Sequence, residues 1–293
     1  MNGANEDMKQ PQILCIIAAT LALGLFAAAC AGGKDSTASE KFIPHPGNTE
    51  LVVGPNRIAI AVTNEQNEPL LGDPGNSVQL KFGDGSPESA TFVEAIAGAT
   101  GFWVLRHTFD TAGEEAAVLT VARGDNTEDI EIKFNVLASG PTPMIGASAP
   151  PTDNPTLTSQ PNKKEITTDA EPNDAFYQMS VTQALAAQKP FVIVFATPAF
   201  CTSELCGPVL NNVKEIQPEF AATTNFIHIE PYVLDVNGGL ANGQLAAAQS
   251  TIDWNLQTEP WIFIVGSDGK ITDRFEGSAS PDELRESLQA AQS

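Results

Sequence analysis

The stretch "FVIVFATPAFCTSELCGPVL", residues 191–210, decides how the chain is read. Its first five residues form a continuous apolar run, as in a strand buried on both faces. Thr197 and Pro198 end that run, and Cys201 and Cys206 follow with four residues between them. Pro208 predicts a helix that begins close to Cys206, because proline is tolerated only in a first helical turn. On a continuous helix, residues five apart have Cα atoms about 8.6 Å apart, whereas a disulfide needs less than about 7 Å. If the pair is oxidised, Cys201 must lie in a turn ahead of the helix.

Outward from this stretch the pattern alternates helix and strand. "SVTQALAAQK" has the spacing of a short helix with Ser180 as N-cap. "PVLNNVKEIQPEFAA" is helical, "NFIHIEPYVLD" is a strand, and "TEPWIFIVGSDGKITDRFEG" reads as a β-hairpin. "SPDELRESLQAA" ends the chain with Ser280 as N-cap, Pro281 at the first helical position and Glu283 three residues on, a capping box. A buried strand that runs into a cysteine-bearing turn, with "TEPWIFIV" about 55 residues later, resembles the thioredoxin-like fold family. That resemblance covers residues 173–293 and implies an α/β domain. It makes Pro260 a cis-proline facing the cysteines, with Glu259 before it and Trp261 after it as a substrate-binding edge. It also implies thiol-disulfide exchange, with Cys201 attacking and Cys206 resolving. The motif departs from the family, which carries C-x-x-C, and "CGP" at Cys206 offers a second alignment in which Cys206 takes the first place. "CTSELCG" is also similar to paired cysteines of some peroxiredoxins, but their P-x-x-x-T-x-x-C signature and later arginine are missing. Copper-binding proteins of the Sco type use two cysteines and a histidine on the same fold, which would make His228 the third ligand. No metal is assigned on this evidence, and "DVNGG" at 235–239 lacks the carboxylates of a calcium loop.

Residues 50–138 change character. Short runs such as "RIAIAVTN", "SVQLKFG" and "EAAVLTVAR" alternate apolar and polar residues between Gly, Asn, Asp and Pro. Six or seven antiparallel strands closing as a β-sandwich resemble immunoglobulin-like domains. "FDTAGE", 109–114, resembles the corner before their penultimate strand, without its tyrosine. Residues 139–172 hold seven prolines and many small polar residues, the composition of an interdomain linker, and "IGASAPP" within them resembles the entry segment of extracytoplasmic thioredoxin-like domains, which places the linker's first part along the second domain. The expected class is therefore multidomain: an all-β immunoglobulin-like sandwich joined by that linker to an α/β thioredoxin-like domain.

The N-terminus reads as an export signal over residues 1–29. Its apolar run ends in "FAAAC", which resembles the lipobox of bacterial lipoproteins. That makes Cys30 the lipidated residue and 30–49 a flexible tether; a start at Met8 would give a positively charged leader. The protein is then expected outside the cytoplasm, anchored to the membrane through Cys30, with exported thiol or disulfide proteins as partners. The formal net charge of −21 repels phosphate backbones and excludes nucleic-acid binding. No cofactor motif is found. With Cys15 in the signal and Cys30 lipidated, Cys201 and Cys206 remain as an even pair suited to a disulfide or dithiol. Glu204 lies between them and no cation is close in sequence, so the thiolate is expected to be only mildly activated. The competing reading is a redox-inert binding or scaffold lipoprotein whose disulfide is structural.

Overall fold

A computed structural model describes residues 40–292. The expected signal at 1–29, Cys30 and most of the tether lie outside the described residues. The N-terminal half is built from β1 (Phe42–Pro46), β2 (Leu51–Val52), β3 (Gly54–Asn64), β4 (Asn76–Phe82), β5 (Glu88–Ser89), β6 (Thr91–Ile96), β7 (Thr100–Phe109), β8 (Gly113–Arg123) and β9 (Asn126–Leu137). They form two sheets, β1-β3-β7-β6 and β2-β9-β8-β4-β5. Alternating residues such as Val78, Leu80, Leu119 and Val121 face inward, because strand side chains point to opposite faces in turn. They meet Ile58, Ile60, Val62 and Trp103 from the other sheet. All neighbouring pairs are antiparallel except β2 with β9, which is parallel and departs from the all-antiparallel expectation.

The C-terminal half contains α1 (Val181–Ala186), β10 (Phe191–Phe195), α2 (Cys206–Phe220), β11 (Asn225–Ile229), α3 (Gln249–Asp253), β12 (Trp261–Val265), β13 (Ile271–Glu276) and α4 (Pro281–Ala291). Its sheet runs β11-β10-β12-β13. Every residue of β10 and β12 is buried, since both faces are covered. Val192, Val194, Ile262 and Ile264 pack with Val209, Val213 and Ile216 of α2 and with Leu284 and Leu288 of α4. Phe191, Ile193, Phe195 and Phe263 pack on the other face with Val181, Ala184, Trp254 and Trp261. Ser180 and Ser280 cap α1 and α4 with complete capping boxes.

The expected fold class is corrected. The described residues have 37% strand against 19% helix, and Ser39–Ser293 forms one compact unit. With strand so far in excess of helix, a separate α/β domain of the thioredoxin kind is not evident; in the C-terminal sheet β10 pairs in parallel with β11, and the other two neighbouring pairs are antiparallel. Nor is the proline-rich stretch 139–172 a free linker. Gly146 N–H donates to the Ile271 carbonyl (2.8 Å), and Ala149 N–H to that of Gly269 (2.9 Å). Asn154 Oδ1 accepts from Val181 N–H (2.9 Å), tying the stretch to the start of α1. Polar side chains of this stretch satisfy its own backbone and that of its neighbours, which is how a segment poor in apolar residues stays packed.

The two halves meet across a charged seam. Arg274 on β13 pairs with Glu50 at 2.6 Å, both almost fully buried. Arg57 on β3 grips Glu283 at the start of α4 through Nε and Nη2 (2.7 and 3.0 Å). Arg106 on β7 holds both oxygens of Asp273 at 2.8 Å. Two of these guanidinium groups, those of Arg57 and Arg106, lie over the Phe275 ring. Among the described residues no helix is long and apolar enough to cross a membrane.

Candidate functional site

The segment leaving β10 carries the two cysteines to the start of α2. Cys206 is the first residue of that helix and fully buried, while Cys201 sits in the preceding turn and is half-buried. Glu204 takes a left-handed backbone conformation (φ 60°), which costs a non-glycine residue on the order of 1 kcal/mol. The turn folds Cys201 back over the helix end. Leu205 stands at the N-cap position and provides no side-chain cap. The Cys206 N–H, one of the groups a helix start leaves unpaired, instead donates to Cys201 Sγ at 3.3 Å. Ser203 Oγ lies 3.2 Å from the same sulfur.

Both cysteines are free thiols here. The Cys206 thiol, the Ser203 hydroxyl and the Cys206 amide all favour a negative Cys201 sulfur, and together they outweigh burial, bringing its pKa down from 9.0 to about 5. The Cys206 pKa moves the opposite way, because its proton is held by Cys201 and its sulfur is buried. The mild activation expected from sequence is thus exceeded. It comes from hydrogen bonds and the helix start, with no cation. Ser203 was legible only as a polar residue between the cysteines.

Behind the cysteines stand two carboxylates. Glu259 precedes Pro260, and the bond between them is cis. Burial raises the Glu259 pKa, Tyr232 Oη donates to its Oε2 at 3.0 Å, and the charge on Cys201 raises it further. Glu230 follows β11 and is 6% exposed. Its Oε2 accepts from both the backbone N–H and the hydroxyl of Thr168 (2.9 and 3.0 Å). Burial pushes its pKa up to about 7. A cleft of about 430 Å³ opens beside Glu230 and Tyr232, and its wall includes Asp153 and Glu165 but neither Lys nor Arg. Sequence reasoning missed Glu230, Tyr232 and Thr197. The signal was available in the parallel register, because Phe195 of β10 lies opposite Ile229 of β11. Residues just past these two strand ends must emerge at the same edge.

Other expected site residues fall elsewhere. Trp261 is buried, its Nε1 donating to Thr258 Oγ1 (3.1 Å) under the Arg274 guanidinium, so it belongs to the core and offers no surface to a partner. Pro260 is buried and its carbonyl accepts from Gly277 N–H. His228 does not fit a copper set. Its Nε2 lies 2.9 Å from the Ala196 carbonyl and its Nδ1 2.8 Å from Tyr177 Oη, so both nitrogens are occupied. Burial brings its pKa down to about 4, which keeps the ring neutral. Among the described residues no group of three His, Cys, Asp or Glu side chains is placed to hold a metal ion.

No protein-family model matches the chain, and no curated protein matches it. Among solved structures, the PKD domain of the human VPS10 domain-containing receptor SorCS2 is similar over 41% of this chain and 99% of that one, with 17% identity and a TM-score of 0.22. A likeness at that score supports no inference about fold or function. The chemistry of the site rests on its own residues.

Proposed function

We propose that the protein exchanges thiols for disulfides in exported partner proteins, with Cys201 as the attacking sulfur and Cys206 as the resolving one. The observation that carries this reading is the Cys201 sulfur, half-exposed and receiving the Cys206 amide and the Ser203 hydroxyl, with a second, protonated thiol beside it. A thiolate is the nucleophile in exchange, and one ionised at neutral pH without being fully buried is suited to attack. In the forward direction Cys201 S⁻ attacks a partner disulfide and a mixed disulfide forms as one partner sulfur leaves as thiolate. Cys206 then loses its proton and attacks Cys201 Sγ. The Cys201–Cys206 bond forms, the second partner sulfur leaves, and two electrons have passed to the partner. The leader and "FAAAC" support a lipid anchor at Cys30 and a place outside the cytoplasmic membrane.

The test is trapping. Cys206→Ser leaves the mixed disulfide without an intramolecular exit, so partner adducts through Cys201 should accumulate on non-reducing gels, and Cys201→Ser should accumulate few. Equilibration with dithiothreitol should place the pair above about −300 mV, where exchanging disulfides lie. A pair that resists strong reductant, with no adduct in either variant, overturns the reading in favour of a structural clip.

A further inference from the structure

The cleft of about 430 Å³ beside β11 has the size of a ligand site and one sign of charge. Asp153, Glu165 and Glu230 stand on its wall, and neither Lys nor Arg does. His228 also borders it, but both ring nitrogens are taken by Ala196 and Tyr177. Carboxylates alone would make only a solvated acidic surface. Glu230 is different, because it is 6% exposed and its Oε1 has no hydrogen-bond partner. Thr168 donates to Oε2 from its backbone and its hydroxyl (2.9 and 3.0 Å), whereas Thr197 Oγ1, likewise unpaired, completes no bond to Oε1. A buried carboxylate oxygen left without a donor is costly, so its retention calls for a partner. Glu165 is set in place by two neutral amides, Gln160 Nε2 on Oε2 (2.9 Å) and Asn162 Nδ2 on Oε1 (2.8 Å), neither of which cancels its charge.

The second observation is apolar. Among the described residues five large apolar side chains are exposed, and four of them, Val233, Val236, Leu245 and Ile252, fall within 233–252. This stretch begins with an ordered flap. Val233 N–H donates to the Ala246 carbonyl (2.9 Å), Ala241 N–H to that of Val233 (2.9 Å) and Ala248 N–H to that of Pro231 (2.8 Å). Asn162 Nδ2 fastens the flap to the proline-rich segment through the Val236 carbonyl (2.9 Å). Val233 is itself on the cleft wall, and α3, which carries Ile252, supplies Gln249 and Ser250 to it. Single exposed apolar residues are ordinary, but four gathered beside one cavity mark an interaction surface.

We propose that this cleft and flap dock an extended partner segment, which places a lysine ammonium on Glu230 and apolar side chains along Val233 and its neighbours. Charge complementarity selects the cation. Only Oε1 is free, so a compact ammonium suits it better than a guanidinium, whose fork grips both oxygens of a carboxylate. The apolar stem of the lysine would lie against Ile166 and Val233 as its head reaches the carboxylate. The net charge of −21 draws a basic partner in. This docking goes beyond the exchange reading and stands whether or not the cysteines react.

The experiment titrates the full chain into a capped, fluorescein-labelled peptide, Val-Leu-Lys-Leu-Val, and reads anisotropy. The peptide has no sulfur, so exchange plays no part. Norleucine in place of its lysine should weaken binding about 30-fold, as should Glu230→Gln, and both changes together should cost little more than either alone. Serine in place of the peptide's apolar residues, or Val233→Ser in the flap, should weaken binding several-fold. The norleucine peptide needs no change in the protein, so its result holds even if a variant folds poorly. Equal affinity for the lysine and norleucine peptides overturns the cation site, and an undiminished lysine preference in Glu230→Gln overturns its anchor. Spermidine that binds as tightly as the peptide overturns a docked segment in favour of a free polyamine. If neither peptide binds, the docking proposal falls, and the trapping and reduction tests of exchange are untouched.

Discussion

The molecule treats buried charge in two opposite ways. At the seam, Glu50, Asp273 and Glu283 each face an arginine at 2.6 to 2.8 Å. At the cysteine corner, Glu230 and Glu259 are met by hydroxyls from Thr168 and Tyr232, and none of the main influences on Cys201, Cys206 or either carboxylate is a cation. Pairing with a guanidinium fixes a carboxylate in its charged state. Desolvation without a cation lifts it toward neutrality and lets it titrate where a cell operates. The seam is thus organised to hold two halves together, and the corner to change protonation. Glu276 marks the boundary: it lies at the end of β13 beside the seam, yet it is served by Thr49 and Thr258, and burial raises its pKa.

This comparison breaks first at the seam if it is wrong. Arg274→Met strands the buried Glu50 carboxylate and should cost about 3–5 kcal/mol in urea unfolding. The double variant with Glu50→Gln should recover much of that loss, because the stranded charge is gone. Arg285, at the surface of α4 with three well-exposed carboxylate partners, is the control, and its replacement by Ala should leave stability nearly unchanged. Equal losses at Arg274 and Arg285 would show that burial of the pair is not what matters.

Glu230 sharpens the other side. Its carboxyl pKa rises from 4.5 to about 7 on folding, so the native state binds the extra proton and stability is fully present below about pH 4.5. It is lost as pH climbs through 7, by up to about 3 kcal/mol at about 1.4 kcal/mol per unit. Glu230→Gln should remove that slope, so that the unfolding free energies of variant and wild type diverge in the variant's favour between pH 5 and pH 8. Parallel curves would contradict the assignment. His228 acts with the opposite sign, since its depressed pKa makes stability fall as pH drops from 6.5 through about 4.

How much of this was legible in the sequence follows the same division. Local pattern identified β10 from five apolar residues, α4 from its capping box and the turn ahead of α2 from Pro208, because each is set by neighbours in the chain. The seam was not legible. Arg57 and Arg106 read as single polar positions within alternating strands, and their partners lie 226 and 167 residues away. For 139–172 the sequence suggested only that "IGASAPP" lies along the C-terminal half; the packing of the rest was missed for a related reason, since proline and small polar residues suggest disorder until the groups that accept their hydrogen bonds are known. At the corner the cysteines were plain, but the strength of their activation was not. It depends on the Cys206 thiol, Ser203 Oγ and Cys206 N–H converging on one sulfur, a geometry set by the left-handed Glu204. The smallest effect tests that contribution: Ser203→Ala should move the Cys201 titration upward and slow its alkylation at pH 6 several-fold, in line with the smaller thiolate fraction.

The most direct test of a corner built to titrate without cations is the pH dependence of Cys201 alkylation by iodoacetamide, followed by mass spectrometry of the intact chain. Cys201 should react with a midpoint far below the ordinary 9.0, close to the value of about 5 that its hydrogen bonds impose, while Cys206 stays unmodified across neutral pH. A Cys201 midpoint near 9, or equal modification of the two cysteines at pH 7, would contradict the account.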